Sequence, residues 1–255
     1  MIKHRFLGGE GMPPCVILHG LLGSSRNWLT VGKALARHFA VYALDARNHG
    51  ESLHCDQMDY GAMVGDLEEW RESVLADRSF RLVGHSMGGK TAMRYACTYP
   101  NRVEALVVVD IAVRAYKPRW EKEFAAMLKM PLTALKSRSE AENWLESEGV
   151  SDWAFRKFLI TNLERDESSG FRWTINLEVL QASLPQLFTQ PIDDEARYDG
   201  PVLWLRGERS DFVTESDFEQ IRKHFPRARI ETINGAGHNV HFEQMQSFVD
   251  AVQSL

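Results

Sequence analysis

The stretch RLVGHSMGGK (Arg81–Lys90) places one serine between an apolar pattern of strand length and a helical pattern. A serine at such a junction requires a sharp turn, and Gly84 and Gly88, two residues before and after Ser86, leave room where Cβ atoms would collide. A helix-capping serine needs no glycine two residues upstream, so the pattern favours a nucleophile. The Met87 amide would then lie at a helix N-terminus, where an oxyanion is stabilised.

The sequence on either side of this stretch alternates between helical patterns and apolar runs. The runs are CVILHG, AVYALD, VEALVVVD and VLWLRG, with IKHRFL as a predicted edge strand. Strands that are apolar on both faces occur in parallel sheets that helices cover on both sides. The sequence therefore predicts an α/β fold with a mostly parallel sheet.

The alternation stops between residues 112 and 197. This region consists of the helical patterns PRWEKEFAAMLKM, SEAENWLESEG, SDWAFRKFLITNLER and LEVLQASLPQLF, and only GFRWTIN looks extended. Alternation of strand and helix patterns resumes afterwards, as expected for an insertion rather than a second domain in tandem. We predict a core formed by residues 1–111 and 198–255, with residues 112–197 inserted as a helical cap.

Composition limits the class of partner and the cellular location. The 255-residue chain has a formal net charge of −5, which disfavours nucleic acid and anionic membranes because both would repel it. No apolar run has the length of a signal peptide or a membrane span. The odd number of cysteines (Cys15, Cys55, Cys97) favours free thiols in a reducing compartment. We expect a cytoplasmic monomer or homodimer that acts on a small molecule.

A nucleophilic serine needs a base, and one histidine is well placed for this role. His238 lies in INGAGHNVHFEQ, between the last strand pattern and the last helix, so its loop reaches the same end of the sheet as Ser86. A second oxyanion donor is expected after CVILHG, where Gly20 allows a close approach of the backbone. Leu21 and Met87 are therefore the predicted amides of an oxyanion hole.

Two aspartates qualify as the acid that would orient the base. Asp110 ends the run VEALVVVD, where apolar neighbours make a carboxylate costly without a firm partner. Asp211 follows VLWLRG, and an ion pair with Arg206 or Arg209 offers another reason for its presence. The residues themselves leave both candidates open.

Several motifs, in this order, resemble the α/β-hydrolase fold family over essentially the whole chain. They are HGLLGS (19–24), DARNHGES (45–52), GHSMGGK (84–90), VVDIA (108–112) and GAGH (235–238). Within that fold the chain is most similar to the YbfF-like esterases, which have a small helical cap and for which acyl-CoA thioesterase activity is also reported. In that group the acid comes from the DIA motif. The resemblance implies Asp110 as the acid, Ser210 as an auxiliary hydroxyl bonded to His238, and Asp211 as the alternative acid.

These expectations define a serine hydrolase of the carboxylesterase type. It would cleave carboxylic esters, or acyl thioesters, of short to medium acyl chains through an acyl-enzyme, without a cofactor or metal. A C–C bond hydrolase or a menaquinone-pathway lyase is an alternative, and such enzymes typically take their acid from the region of Asp211. A perhydrolase would share the triad and differ in pocket shape. A non-catalytic ligand-binding protein is disfavoured by the intact serine, histidine and acid.

Overall fold

A computed structural model of the chain describes residues 1–166 and 170–255. Within these residues the strands are β1 (His4–Gly8), β2 (Pro14–Leu18), β3 (Ala40–Leu44), β4 (Phe80–His85), β5 (Val103–Val109), β6 (Leu163–Asp166), β7 (Gly170–Trp173), β8 (Val202–Gly207) and β9 (Ala228–Ile233). Seven of them form one sheet in the order β1-β3-β2-β4-β5-β8-β9. All neighbours in this sheet are parallel except the pair β1 and β3, which is antiparallel, and β1 is the edge strand that the sequence predicted.

Helices separate most strands of the large sheet, and three consecutive α-helices follow β5. The α-helices of the described residues are α1 (Leu29–Leu35), α2 (Tyr60–Val74), α3 (Met87–Thr98), α4 (Glu121–Leu128), α5 (Arg138–Ser147), α6 (Trp153–Ile160), α7 (Leu177–Leu187), α8 (Phe218–His224), α9 (Val240–Glu243) and α10 (Met245–Gln253). No helix of the described residues is both long and apolar enough to cross a membrane.

Both faces of the sheet are buried, as the continuous apolar runs predicted. Alternate side chains of a strand point to opposite faces. Val16 and Leu82 accordingly pack with residues of α2 and α3 on one face. Ile17 and Val83 pack with residues of α1 and α10 on the other. The predicted α/β fold is confirmed, and the sheet brings the carboxyl ends of β2, β4, β5 and β8 to one edge.

The segment between β5 and β8 differs in one element from the sequence prediction. The pattern SDWAFRKFLITNLER predicted a continuous helix, but α6 ends at Ile160 and β6 follows. Strand β6 pairs antiparallel with β7, whose residues the sequence had marked as extended. The helical pattern is overridden because β7 offers the backbone of β6 a pairing partner, a tertiary contact that local propensity does not include.

Candidate active site

Ser86 stands at a strained turn between β4 and α3. Its φ of 53° and ψ of −119° lie outside the regions that ordinary side chains favour. Glycine is required around it, because a Cβ on Gly84 would lie 2.3 Å from the Gly88 carbonyl oxygen and one on Gly88 2.4 Å from the Leu18 oxygen. The turn therefore brings α3 against the end of β2, and Ser86 is 7% exposed.

Asp110 directly follows β5 and is completely buried. Its Oδ2 lies 2.7 Å from Nδ1 of His238, and its Oδ1 accepts a hydrogen bond of 2.9 Å from the Gly207 amide. The backbone φ of 49° is a conformation that Asp tolerates better than most residues. Polar donors on both oxygens offset the cost of burying the carboxyl group. His238 is thus the partner that a carboxylate among apolar neighbours requires.

Ser210 joins the pair of Asp110 and His238, but through a different hydrogen bond from the expected one. Its hydroxyl donates a short hydrogen bond to Oδ2 of Asp110 rather than to His238, and its oxygen accepts from the Phe212 amide at 3.3 Å. The hydroxyl takes this position because the tight turn after β8 places Ser210 beside the carboxylate. Ser210 therefore contacts the predicted acid directly and the imidazole only through it.

Asp211, the alternative acid, lies in a different environment. Its side chain is 71% exposed and forms an ion pair of 3.0 Å with Arg119. The hydrogen bond from the Arg119 guanidinium is the main cause that lowers the pKa of this carboxyl group. Arg119 belongs to the segment between β5 and β8, whereas the sequence had offered Arg206 or Arg209 as the partner. The structure therefore places Asp110, and not Asp211, in contact with His238.

The loop after β2 carries Leu21 and is braced by two buried histidines. Nδ1 of His19 donates to the Gly20 carbonyl at 2.8 Å, and its Nε2 accepts from the Ala46 amide at 3.0 Å. A Cβ on Gly20 would lie 3.2 Å from Cβ of Ser86, so this loop passes directly beside the serine. Burial lowers the pKa of His19, which keeps the ring neutral and able to accept.

His49 braces the same loop, a role that the sequence analysis did not identify. Its Nε2 accepts from the Leu22 amide at 3.2 Å, and its Nδ1 donates to the Arg47 carbonyl at 2.9 Å. Burial lowers the pKa of His49 to about 3, so this ring is also neutral at physiological pH. The motif DARNHGES includes this histidine, but no local pattern indicates a contact with a residue 27 positions away in the chain.

His238 is enclosed by rings as well as by Asp110. Phe212 stacks on it with ring centroids 3.8 Å apart, and Phe212 also lines the cavity at Ser86. Nε2 of His85 lies 3.0 Å from the His238 carbonyl oxygen and, as the donor, holds the loop. His241 lies in α9, at the start of the final helices, and its ring stacks on Trp28. These contacts fix the backbone and ring plane of His238.

A small cavity opens at Ser86. Leu21 and Met87 line it, so both residues predicted to form the oxyanion hole adjoin the serine. Apolar side chains from the segment between β5 and β8 complete the lining, among them Trp120, Leu187 and Phe188. The cavity volume is about 20 Å³, enough for roughly one water molecule.

The comparison with protein families agrees with this fold. Residues 13–244 match the model of the α/β-hydrolase fold family. Because this match spans most of the chain, the protein belongs to that family, as the motifs predicted.

Individual relatives show which kinds of α/β hydrolase the chain is similar to. The chain is 40% identical over 247 residues to the sn-1-specific diacylglycerol lipase ABHD11 of Xenopus laevis, covering 94% of this chain and 78% of the relative. It is 30% identical over 245 residues to the esterase YbfF of Escherichia coli, covering 94% and 91%. A solved marine microorganism esterase superposes with a TM-score of 0.95 at 36% identity, covering 99% of this chain and 98% of that one. The protein is thus an α/β hydrolase whose relatives include esterases and lipases.

Proposed function

We propose that this protein is a serine carboxylesterase that cleaves esters of short to medium acyl chains. The contact of 2.7 Å between His238 and the buried Asp110 carries the proposal, because it orients a base whose ring stacks on Phe212, a residue that lines the cavity at Ser86. The esterase and lipase relatives support the same reaction class.

The proposed reaction proceeds through an acyl-enzyme. Ser86 attacks the ester carbonyl while Nε2 of His238 accepts the hydroxyl proton, and the Asp110 carboxylate stabilises the imidazolium that forms. The amides of Leu21 and Met87 hold the oxyanion. His238 then donates its proton to the leaving alcohol or thiol, and water releases the acid by the same route. These steps use side chains and backbone amides of this chain alone.

The apolar lining of the cavity supports an acyl chain as the group bound there. We propose that residues 112–197 act as a cap, since Trp120, Leu187 and Phe188 of this segment close the space beside Ser86. The closed cavity of about 20 Å³ holds roughly one water molecule, so an acyl chain of any length would require this cap to move. Diacylglycerol is a second candidate substrate, because the relative with 40% identity is a diacylglycerol lipase.

The alternatives on this fold have less support. A C–C bond hydrolase or a menaquinone-pathway lyase of the kind considered above would use an acid in the region of Asp211. That carboxylate is exposed and paired with Arg119, which argues against both. A perhydrolase would share the triad and would be distinguished by product analysis.

The test is hydrolysis of a p-nitrophenyl ester series from acetate to palmitate, with a diacylglycerol in detergent micelles as a further substrate. Ser86→Ala should lower kcat by at least about 10⁴-fold for every substrate that is cleaved. Ser79→Ala, at an exposed serine just before β4, is the matched control and should leave turnover unchanged. Full activity in folded Ser86→Ala would contradict the proposal.

A further inference from the structure

The chain passes between the core and the cap twice, and we call residues 112–117 and 187–191 the crossing segments. They touch each other, because the Tyr116 amide donates to the Phe188 carbonyl at 2.8 Å. The Tyr116 hydroxyl also accepts from the Ala112 amide at 2.7 Å and donates to the Phe212 carbonyl at 2.6 Å. Leu187 and Phe188 line the cavity at Ser86, so the position of these segments determines its size.

Lys90 of the core joins both crossing segments. It lies on α3 one turn after Ser86 and is 1% exposed. Its Nζ donates to the Arg114 carbonyl at 3.0 Å and, in a short hydrogen bond, to the Thr189 carbonyl. It also lies 4.9 Å from the centroid of the Tyr116 ring, a cation–π contact. One ammonium group thus binds one carbonyl from each crossing.

Lys90 has no charge partner that would explain its burial. Among residues 1–166 and 170–255 no carboxylate lies within ion-pair distance of its Nζ. Burial, with a smaller contribution from the neighbouring cation Arg114, lowers the pKa of Lys90 to about 7. A methionine has nearly the same length and would occupy this space without the cost of burying an amine. The hydrogen bonds to the two carbonyl oxygens therefore explain why an amine is buried at this position.

We propose that Lys90 is a positioning residue that holds the two crossing segments together over Ser86 and thereby limits the size of the acyl pocket. The statement about the pocket rests on the proposed esterase function, whereas the statement about the crossing segments does not. The N–H groups of this amine are suited to the task because they can reach two carbonyls at once, and in the protonated form the charge strengthens both bonds.

Hydrogen–deuterium exchange of Lys90→Met tests the contact directly. Peptides that cover residues 112–117 and 187–191 should exchange about tenfold faster than in the wild-type protein, because a charge-assisted hydrogen bond is lost from each segment. Arg94→Met is the matched control, since it removes an exposed cation from the same helix, and it should leave both segments unchanged. Wild-type exchange in folded Lys90→Met, or faster exchange in only one segment, would overturn the proposal.

A second variant covers the case in which Lys90→Met does not fold. Lys90→Gln keeps two N–H donors on a shorter side chain that cannot reach both carbonyls, so exchange should be at least about threefold faster in one or both segments. Wild-type exchange in both segments of this variant would contradict the proposal equally.

The ester series then tests the effect on the pocket. The ratio of kcat/KM for octanoate to that for acetate should rise about tenfold in Lys90→Met, because loosened crossing segments admit the longer chain more easily. An unchanged ratio together with faster exchange would overturn the effect on the pocket. If the wild-type protein cleaves no ester, the proposed function fails, and the exchange result still decides whether Lys90 joins the segments.

Discussion

Asp110 and Asp211 follow strands that end at the same edge of the sheet, and their environments are opposite. Asp110 is completely buried and bonded to His238, to the Gly207 amide and to the Ser210 hydroxyl. Asp211 is 71% exposed and bonded to Arg119 of the proposed cap. A buried carboxylate with oriented donors interacts strongly with a neighbouring imidazolium, whereas water and ions screen an exposed one. Position at a strand end is therefore not enough to make an aspartate an acid of a triad.

The largest expected difference between the two aspartates is in turnover. Asp110→Asn should lower kcat for a p-nitrophenyl ester by about 10⁴-fold, since Asn donates to Nδ1 and favours the wrong tautomer of His238. Asp211→Asn should stay within about threefold of the wild-type kcat, because its loss removes one exposed ion pair. Steady-state kinetics of the two variants decides which aspartate is the acid. A crippled Asp211→Asn beside an active Asp110→Asn would reverse the assignment.

A smaller effect on kcat is expected from removal of the Ser210 hydroxyl, which donates to Asp110. Ser210→Ala removes one donor from the buried carboxylate, and the loss of a hydrogen bond to a charged group should lower kcat by about 10- to 100-fold. Ser216→Ala is the matched control, because this exposed serine bonds Thr214 and does not contact the carboxylate. Equal kcat values for Ser210→Ala and the wild-type enzyme would show that the contact with Asp110 is dispensable.

The smallest effect is expected for the stability contributed by Asp211. Asp211→Asn should change Tm at pH 7 by less than about 2 °C, since exposed ion pairs contribute little. Arg119 lowers the folded-state pKa of this carboxyl group below its usual 3.8. Its contribution is therefore complete above that value and is lost only as the pH falls through the lowered pKa. Calorimetry at pH 7 and pH 5 should give the same small difference, and a large difference would indicate a structural role.

Much of the fold and site was predictable because short patterns specify it. Apolar runs predicted the strand ends at Ser86 and Asp110, and the loop of His238 followed from its place after the last strand. What was missed depends on contacts between distant parts of the chain. The pairing of β6 with β7, the brace from His49 and the bond from Lys90 to a carbonyl 99 residues away have no local signature.

The choice between Asp110 and Asp211 also depends on contacts between distant parts of the chain. Each residue follows a buried strand, and each has a plausible partner nearby in the sequence. Only the fold shows that the turn after β8 presents Ser210 and the Gly207 amide to Asp110 and leaves Asp211 outside. The resemblance to a family selected the correct contact, whereas the residues alone could not.

A crystal structure of the protein inactivated by a serine-reactive phosphonate would test the proposed triad most directly. We expect phosphorus bonded to Oγ of Ser86 and a phosphoryl oxygen within hydrogen-bond distance of the Leu21 and Met87 amides. We also expect Nδ1 of His238 to stay on Asp110 while Asp211 stays on Arg119. A structure in which His238 turns to Asp211, or in which the phosphonate leaves Ser86 unmodified, would contradict the proposed triad.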